Sequence, residues 1–511
     1  MYFSEGSLGV SYLIGLDAGT TSFKGVLFDE NGGTKAIASR EYALNYPSAD
    51  WVELDPEVYW WTCKSVLHEL LARWHGDVRQ VKALAISSQG ETLICLSRDG
   101  RVLRPAIVWL DNRAGEEAKI LKQEFSIEKS FAITGQPDIV PTWPAAKILW
   151  LKRNEPVRFN QVGKFLLLED YLIYRLTDCF AAEGSMLSSS LLFAIDTGHW
   201  WLDMLDYLGL AIDQLPEIRP SGQLIGELTP QAAAETGLMQ GTVVATGALD
   251  QAAATIGAGN VLPGIITECT GGALAVVATM DRPVFDPRQR IPCHYHALPD
   301  LFYLLPWCQT AGMTLKWFRD EFFSSEKSAA MAAGNDIYDL MTSEAAWASP
   351  GADGLVMLPH LAGAFTPECN PRARGVYFGF TLKSRRAHFT RALLESVAFM
   401  LNRNILLLEE LGIEVKEIRS IGGGAKSPLW NQIKADVCQK PVVTVDVEEP
   451  ACLGAAVLAG KAVGMFSSFA ETCNRMIKIK NRYVPDPKIA KTYAMAFKKY
   501  IDLYETVKKL F

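Results

Sequence analysis

Several features that mark common protein classes are missing from this chain of 511 residues. Its ten cysteines form no C-x-x-C pair, and of its seven histidines only His294 and His296 lie close together. Neither a disulfide framework nor a cysteine and histidine metal site is therefore indicated. The chain also lacks the G-x-x-x-x-G-K-[ST] phosphate loop and the loops of protein kinases, which excludes those nucleotide-binding classes.

Charge and hydropathy exclude further classes. The net charge of −7 is not concentrated in a tail, which argues against a nucleic-acid or anionic membrane partner. No apolar run approaches the roughly eighteen residues of a membrane helix. The first ten residues, MYFSEGSLGV, lack the basic and apolar regions of a secretory leader. We therefore expect a cytoplasmic globular enzyme of two or three domains, and its oligomeric state, a homodimer included, stays open.

The most informative stretch is SYLIGLDAGTTSFKGVLFDE, at residues 11–30. Residues 12–16 and 24–28 are apolar and predict two strands joined by a polar turn. Glycine lets the turn approach an anion closely, hydroxyls and main-chain N–H groups can bind phosphate, and a carboxylate can hold a divalent cation. The alternative is a polar surface hairpin without a ligand. The residues concerned are Asp17, Gly19, Thr20, Thr21 and Ser22.

Polar residues at the ends of other predicted strands indicate further site positions. The apolar segment 81–87 leads to Gln89-Gly90-Glu91-Thr92, and a strand over residues 242–246 leads to Asp250 and a helix of small residues. Ligands in layered α/β folds bind at such carboxyl ends. The alternative for Asp250 is a simple helix cap. Asp111 and Arg113, after a third apolar segment, are as well explained by an ordinary ion pair.

The second half repeats the organisation of the first. Residues 257–264, GAGNVLPG, predict a hinge because glycine and proline cluster there. The following IITECTGGALAVVATMD again reads as strand, polar turn and strand, so we predict domains at 11–258 and 264–505. A strand over residues 417–421 ends in three glycines before a helix that Ser427 caps. Such a junction is typical of nucleotide sites, and a tight packing turn explains it equally well.

Together these motifs resemble the FGGY family of carbohydrate kinases, in the actin, hexokinase and heat-shock ATPase superfamily, from about residue 12 to residue 503. Within residues 375–395, GVYFGF, HF and ALLE match the second signature of the family. TWPAAKILW, at residues 142–150, nearly matches the first signature and departs from it at Thr142. The resemblance implies an α/β fold of two ribonuclease H-like domains with a cleft between them.

The resemblance also implies ATP and Mg²⁺ as cofactors and assigns roles by position. Asp17 would organise the magnesium, and Asp250 would take the proton from a sugar hydroxyl. Cys269 stands where the family commonly has glycine. The other implied contacts are, for phosphate, Thr20, Thr21, Ser22, Thr270 and Gly271; for the rest of the nucleotide, Gly312, Lys316 and Gly424; and for the sugar, Glu91, Asp111, Arg113, Asp250 and Gln251.

We predict ATP-dependent phosphorylation of a small sugar or polyol. Trp109-Leu110-Asp111-Asn112-Arg113 resembles the xylulose-kinase branch, whereas Gln89-Gly90-Glu91-Thr92 resembles the glycerol-kinase branch, which usually has arginine at Gly90. Glycine removes a planar donor fork and opens volume, which favours a neutral ketose or polyol of four to six carbons, D-xylulose first. The alternatives are a glycerol or short-polyol kinase and, from another class, a non-catalytic actin-like ATP-binding or assembly protein.

Overall fold

The computed structural model describes residues 10–511, so the expectation about a secretory leader concerns residues that, apart from Val10, lie outside the described part. Its contacts divide the chain into two compact units. The first runs up to Val261 and includes Asp281–Tyr303 and Val447–Lys478. The second comprises Leu262–Met280, Leu304–Asp446 and Ile479–Phe511.

The strands of the described residues are, in chain order, β1 (Tyr12–Ala18), β2 (Ser22–Asp29), β3 (Thr34–Glu41), β4 (Asn45–Ser48), β5 (Trp51–Leu54), β6 (Val81–Ser88), β7 (Ile94–Ser97), β8 (Ala106–Ile107), β9 (Val162–Leu166), β10 (Ala181–Ala182), β11 (Phe193–Ala194), β12 (His199–Trp200), β13 (Glu217–Ile218), β14 (Leu224–Glu227), β15 (Val243–Leu249), β16 (Ile265–Thr270), β17 (Leu274–Met280), β18 (Cys293–Tyr295), β19 (Phe302–Leu304), β20 (Trp307–Cys308), β21 (Val356–Leu358), β22 (Val376–Phe378), β23 (Glu417–Ile421), β24 (Val442–Val445) and β25 (Ile479–Tyr483).

The α-helices are α1 (Pro56–Trp74), α2 (Gly115–Phe125), α3 (Ile127–Thr134), α4 (Pro144–Asn154), α5 (Pro156–Phe159), α6 (Leu168–Thr177), α7 (Gly184–Leu187), α8 (Leu202–Leu208), α9 (Pro230–Thr236), α10 (Asp250–Gly257), α11 (Gly312–Phe322), α12 (Ser324–Ala332), α13 (Ile337–Ala345), α14 (Arg386–Glu410), α15 (Pro428–Cys438), α16 (Pro450–Ala462), α17 (Phe469–Met476) and α18 (Ala490–Val507). Among residues 10–511, no helix is both long enough and apolar enough to cross a bilayer.

A six-stranded sheet of order β14-β15-β6-β1-β2-β3 forms the centre of the first unit. β1 and β2 pair as the predicted antiparallel hairpin, while β1 and β15 both run parallel to β6. The strands predicted around the hairpin and before Glu91 and Asp250 are thus confirmed. Because parallel strands end at the same edge of a sheet, β1, β6 and β15 bring their last residues together there.

The second unit repeats this arrangement. β16 and β17 form an antiparallel hairpin, and β16 also pairs in parallel with β23. The strands continue as β17-β16-β23-β24-β25, with β20 against β17. The predicted recurrence of strand, turn and strand is confirmed, as is the helix start at Ser427, whose hydroxyl accepts from the N–H of Trp430.

Small residues let α16 approach the sheet of the first unit and helix α10 very closely. A Cβ at Gly15 in β1 would lie 1.7 Å from the carbonyl oxygen of Cys452, and one at Gly454 would lie 1.9 Å from that of Ala253. A Cβ at Gly257 would meet the carbonyl oxygen of Pro450 at 1.8 Å. These backbone contacts explain why residues 447–478 belong to the first compact unit, although the sequence prediction drew its second domain over 264–505.

Residues 281–303 also differ from the sequence prediction, which placed them in the second domain. Their strand β18 bonds to the first unit through backbone and hydroxyl groups. The N–H of Cys293 donates to the carbonyl of Gly135 at 2.9 Å, and that of Tyr295 donates to the hydroxyl of Ser188 at 2.9 Å. These long-range bonds have no local sequence pattern.

The close packing of α16 on α10 predicts a sharp penalty for one methyl group. Gly454→Ala places its Cβ against the backbone of Ala253, so the helices must separate. We expect the free energy of unfolding to fall by about 2–3 kcal/mol, measured by urea denaturation. Gly115→Ala is the control, because a Cβ there meets nothing within 4 Å. This variant should change the free energy of unfolding by at most about 0.5 kcal/mol. Equal midpoints for the two variants would contradict the packing described.

Candidate functional site

The edge where β1, β6 and β15 end carries the first candidate residue, Asp17. Asp17 lies opposite Ser87 in the β1–β6 register, and the Ser87 hydroxyl donates to its Oδ1 at 2.9 Å. Burial raises the pKa of Asp17 to about 6, against the opposing effects of the Ser87 bond and of Lys24. The parallel register therefore supplies both the carboxylate and the hydroxyl that orients it.

The turn after β1 is fixed by bonds that leave its hydroxyl groups clustered. The N–H of Gly19 donates to the carbonyl of Ser22 at 3.0 Å, and the Tyr42 hydroxyl donates to the carbonyl of Gly19. The indole N–H of Trp109 donates to the Thr20 hydroxyl at 2.9 Å. Thr21 is exposed, and Ser22 begins β2. The turn that carries these three hydroxyl residues is thus held by bonds to Tyr42 and Trp109.

Asp250 is the first residue of α10 and follows β15 directly. Leu249 occupies the N-cap position without a side-chain bond, so Asp250 lies one residue inside the helix. Its Oδ1 accepts from the N–H of Gln251 at 2.6 Å. Burial, aided by the negative charges of Asp17 and Glu91, raises the pKa of Asp250 to about 7. Asp17 and Glu91 thus lie near enough to Asp250, beside Gln251, to influence its charge.

Glu91 is held by an unusual backbone and a buried lysine. Its φ of 55° lies in the left-handed region, where a residue with a side chain needs support from its surroundings. The ammonium of Lys147 donates to the carbonyls of Glu91 at 2.8 Å and Val108 at 3.0 Å. Burial raises the pKa of Glu91 and lowers that of Lys147 to about 7. Lys147 comes from the segment that nearly matched the first family signature.

Asp111 and Arg113 form a fully buried ion pair. Arg113 donates to both oxygens of Asp111, at 2.9 and 2.8 Å, and the N–H of Val52 donates to Asp111 at 2.6 Å. The guanidinium also pairs with Glu53 at 2.8 Å and lies 3.9 Å from the ring centroid of Trp51. Their geometry matches the ordinary ion pair that the sequence left open as an alternative.

The second unit brings four of its five predicted nucleotide residues together. A Cβ at Gly424 would lie 2.6 Å from Cβ of Thr270, so the glycine turn after β23 lies against the turn after β16. The N–H of Gly312, at the start of α11, donates to the carbonyl of Gly271 at 3.1 Å. Lys316 is exposed one turn further along α11.

Tyr303 is a buried residue near the candidate site that the sequence analysis did not single out. It is fully buried, and burial with the carboxylates of Glu183, Asp250 and Glu91 raises the pKa of its hydroxyl. Its oxygen lies 3.4 Å from Nδ1 of His294, whose pKa burial lowers to about 3. The histidine pair noted in the sequence is therefore neutral and internal. No motif marks Tyr303, because only the long-range packing of residues 281–303 places it near the carboxylates.

The residues of this site fit a magnesium ion that is bound as in other phosphate-transfer sites, partly by the protein and partly by the substrate phosphates. In the part of the chain from residue 10 onward, no three histidine, cysteine or acidic side chains converge as a protein-only metal cage. Mg²⁺ instead commonly uses one or two carboxylates together with substrate phosphates and water. Burial, together with the negative charge of Asp17, raises the pKa of Asp250, and a nearby divalent cation would favour the ionised carboxylates instead.

Comparison with known proteins agrees with this fold. Residues 12–257 match the N-terminal domain of the FGGY family of carbohydrate kinases, and residues 271–463 match its C-terminal domain. Over 502 residues the chain is 30% identical to a xylulose kinase of Bacillus subtilis, covering 98% of both chains. It is 32% identical to a gluconokinase of Bacillus licheniformis over 496 residues, 96% of this chain and 95% of that one.

A solved structure shows the same architecture. The gluconate kinase of Lactobacillus acidophilus superimposes with a TM-score of 0.88 at 27% identity, covering 98% of each chain. The fold and these matches show that the protein is a two-domain α/β carbohydrate kinase, an enzyme that transfers a phosphoryl group. Within that class, the chain belongs to the FGGY family, whose sugar kinases use ATP.

Asp250 gives a stability prediction with a defined pH dependence. Its pKa is higher in the folded chain than in the unfolded one, so the free energy of unfolding falls as pH rises from about 4 to about 7. Asp250→Asn removes this cost. Because the side chain is partly exposed, we expect a gain on the order of 2 kcal/mol above pH 7 that shrinks toward pH 4.

Thermal unfolding at a series of pH values measures this gain. Asp196→Asn, at an exposed position, is the control and should show no comparable change with pH. A midpoint for Asp250→Asn at or below that of the parent at pH 8 would contradict the raised pKa.

Proposed function

We propose that the protein phosphorylates a neutral ketose or polyol of four to six carbons, D-xylulose first, with ATP and Mg²⁺. The observation that carries the proposal is the position of Asp250, at the end of a strand beside the ends of β1 and β6. There its carboxylate shares one edge with Asp17, Ser87 and Glu91. A sugar that bonds to Glu91 and Gln251 would present a hydroxyl to Asp250.

Asp250 acts as the general base in this proposal. A sugar hydroxyl is a weak nucleophile until its proton is accepted, and a base with a pKa near the working pH accepts it best. The pKa of about 7 at Asp250 meets that requirement. Asp111 and Arg113 would take part only indirectly, because they lie near enough to influence the pKa of Lys147, which bonds to the carbonyl of Glu91.

The remaining assignments concern the nucleotide. Phosphoryl transfer depends on neutralising charge and on positioning more than on covalent help. Asp17 would hold the magnesium ion. The positive charge of that ion would offset the negative charge of the phosphates. The proposed phosphate and nucleotide contacts are Thr20, Thr21 and Ser22 in the first unit, and Gly271, Gly312, Lys316 and Gly424 in the second, where Thr270 belongs to the same turn as Gly271.

Electrostatics supports a neutral sugar over a sugar acid. Carboxylates of Asp17, Glu91 and Asp250 converge in the first unit, and each negative charge disfavours another. The nearby cations are committed: Lys147 to backbone carbonyls and Arg113 to its buried acidic partners. A sugar carboxylate would find repulsion there. This distinction matters because the relatives include both xylulose kinases and gluconokinases.

The surroundings of Gly90 support a substrate other than glycerol. A Cβ at this buried position would already lie 3.0 Å from Cδ1 of Leu249 and 3.3 Å from Oγ of Ser189. An arginine fork of the kind usual in the glycerol-kinase branch therefore has no room without movement of Leu249, and the volume that the sequence analysis expected glycine to open is partly filled by Leu249 and Ser189. Without that fork a three-carbon polyol is held loosely, and a longer chain can reach Glu91. The actin-like assembly alternative is not proposed, because the chain belongs to a family of kinases.

A substrate panel tests the proposed specificity. ADP formation is followed with ketopentoses, tetritols, hexuloses, gluconate and glycerol under the same conditions. We expect a ketose, D-xylulose first, to give the highest kcat/KM, with gluconate and glycerol each lower by at least about tenfold. Glycerol as the best substrate would overturn the pocket interpretation, and gluconate as the best would overturn the electrostatic one. No turnover of any sugar would contradict the enzyme assignment itself.

The base assignment has its own test. Asp250→Asn should lower kcat by at least about a hundredfold while ADP binding stays within about twofold of the parent. In the parent, kcat/KM should rise with pH through about 7, because Asp250 accepts a proton only after it has lost its own. Asp196→Asn again serves as control. A variant that keeps more than a tenth of the parental kcat would rule out Asp250 as the base.

A further inference from the structure

A fully buried ion pair lies inside the second unit, directly beneath the turn that follows β16. The ammonium of Lys434 donates to the two carboxylate oxygens of Glu268, at 2.8 and 3.0 Å, and neither side chain has any exposed surface. The Ser420 hydroxyl donates to Glu268 at 2.6 Å. Such a pair is costly to desolvate and stabilises a fold little compared with apolar residues of the same size. Stability alone therefore does not explain why this ion pair is present.

The pair captures the hydroxyl of Thr270. That hydroxyl donates to Oε1 of Glu268 and lies 3.2 Å from the ammonium of Lys434, which donates to it. Thr270 is itself 1% exposed. Its hydroxyl hydrogen is thus committed inside the unit, although Thr270 belongs to the turn that the sequence assigned to phosphate binding.

The orientation of Thr270 sets the distance between two turns. With the hydroxyl turned inward, the methyl group points at the glycine turn after β23: a Cβ at Gly424 would lie 2.8 Å from Cγ2 of Thr270. A Cβ at Gly422 would lie 3.0 Å from the carbonyl oxygen of Thr270. Lys434 comes from α15, the helix that starts directly after this glycine turn. The buried contact of Thr270 with Lys434 and Glu268 therefore connects the turn after β16 with the glycine turn after β23.

The other side of the same turn is also held. The N–H groups of Ala311 and Met313 donate to the carbonyl of Gly272, at 2.9 and 3.0 Å. With α11 on one side and the ion pair on the other, the turn after β16 has little freedom. This arrangement depends on Glu268 and Lys434 being present together, because either charge alone would be buried without a partner.

We propose that Glu268 and Lys434 are positioning residues for the nucleotide phosphates, and that the Thr270 hydroxyl is an internal anchor and not a phosphate ligand. This inference rests on the proposed ATP-dependent function. It differs from the assignment that the family resemblance implied for Thr270, which would be a direct phosphate contact. The two roles predict different results when the anchor is removed.

The test measures ADP binding by calorimetry in the full chain, together with the thermal midpoint. Glu268→Leu with Lys434→Met removes both charges at once, so no buried charge is left alone. We expect ADP to bind about tenfold more weakly, since bonds of this kind typically contribute that much. Thr270→Val should weaken ADP binding about as much, and Thr270→Ser, which keeps the hydroxyl, by at most about threefold.

Combining the changes separates the two roles. If Thr270 acts through the pair, Thr270→Val added to the double variant changes ADP affinity little further. If its hydroxyl were a phosphate ligand, the double variant would bind ADP like the parent, and Thr270→Val would still weaken binding in that background. The second result overturns the inference.

Two controls distinguish a specific effect on ADP binding from a general loss of structure. Arg391→Met with Glu395→Leu removes another buried ion pair of this unit, in which Nε of Arg391 lies 2.9 Å from Oε1 of Glu395. Arg391 also donates to the hydroxyl of Tyr493, and this pair has no bond to the turn after β16. This control variant should leave ADP affinity within about twofold, and an equal loss in both double variants would overturn the inference. Ser420→Ala, which removes one bond to Glu268, is the milder variant and should weaken ADP binding about threefold. Unchanged affinity in Ser420→Ala and Thr270→Val would also overturn it, whereas a parent chain that binds no ADP would refute the proposed function instead.

Discussion

The parallel pairing of β1 and β15 with β6 is the constraint on which the rest of the first unit depends. A shift of this pairing by one residue would turn every side chain to the opposite face. In the observed register, Asp17 lies opposite Ser87, and Leu249, which precedes Asp250, lies opposite Ser88. Residues far apart in the chain thus meet at one sheet edge, which is the edge of the candidate site.

Close backbone contact is the second requirement, and it explains how distant segments join the first unit. The carbonyl of Cys452 can approach β1 only because Gly15 has no side chain. The same relation holds between Gly454 and Ala253. Packing of this kind leaves little room for adjustment, so the position of α10 and of Asp250 at its start follows from residues on a helix far along the chain.

Buried charge is concentrated where these constraints are met. Burial raises the pKa of Asp17 to about 6 and of Asp250 to about 7, which costs stability at neutral pH and is common among functional carboxylates. Lys147 offsets part of this charge and supports the strained backbone of Glu91. In the second unit, Glu268 and Lys434 are matched, and their charge orients a hydroxyl. The two units therefore use buried charge for different ends.

The sequence by itself determined the hairpin around Asp17, the strand before Asp250, the glycine turn before Ser427 and the kinase family, because these features are local patterns of hydropathy, turn residues and caps. It left open whether Asp111 and Arg113 form an ordinary ion pair, which their burial beside Trp51 answered. Tyr303 and the Glu268–Lys434 pair carried no local signal, and Lys147 carried only its place in the segment similar to a family signature. Only the tertiary structure decided their contacts, because each depends on segments that the chain brings together through sheet register and helix packing.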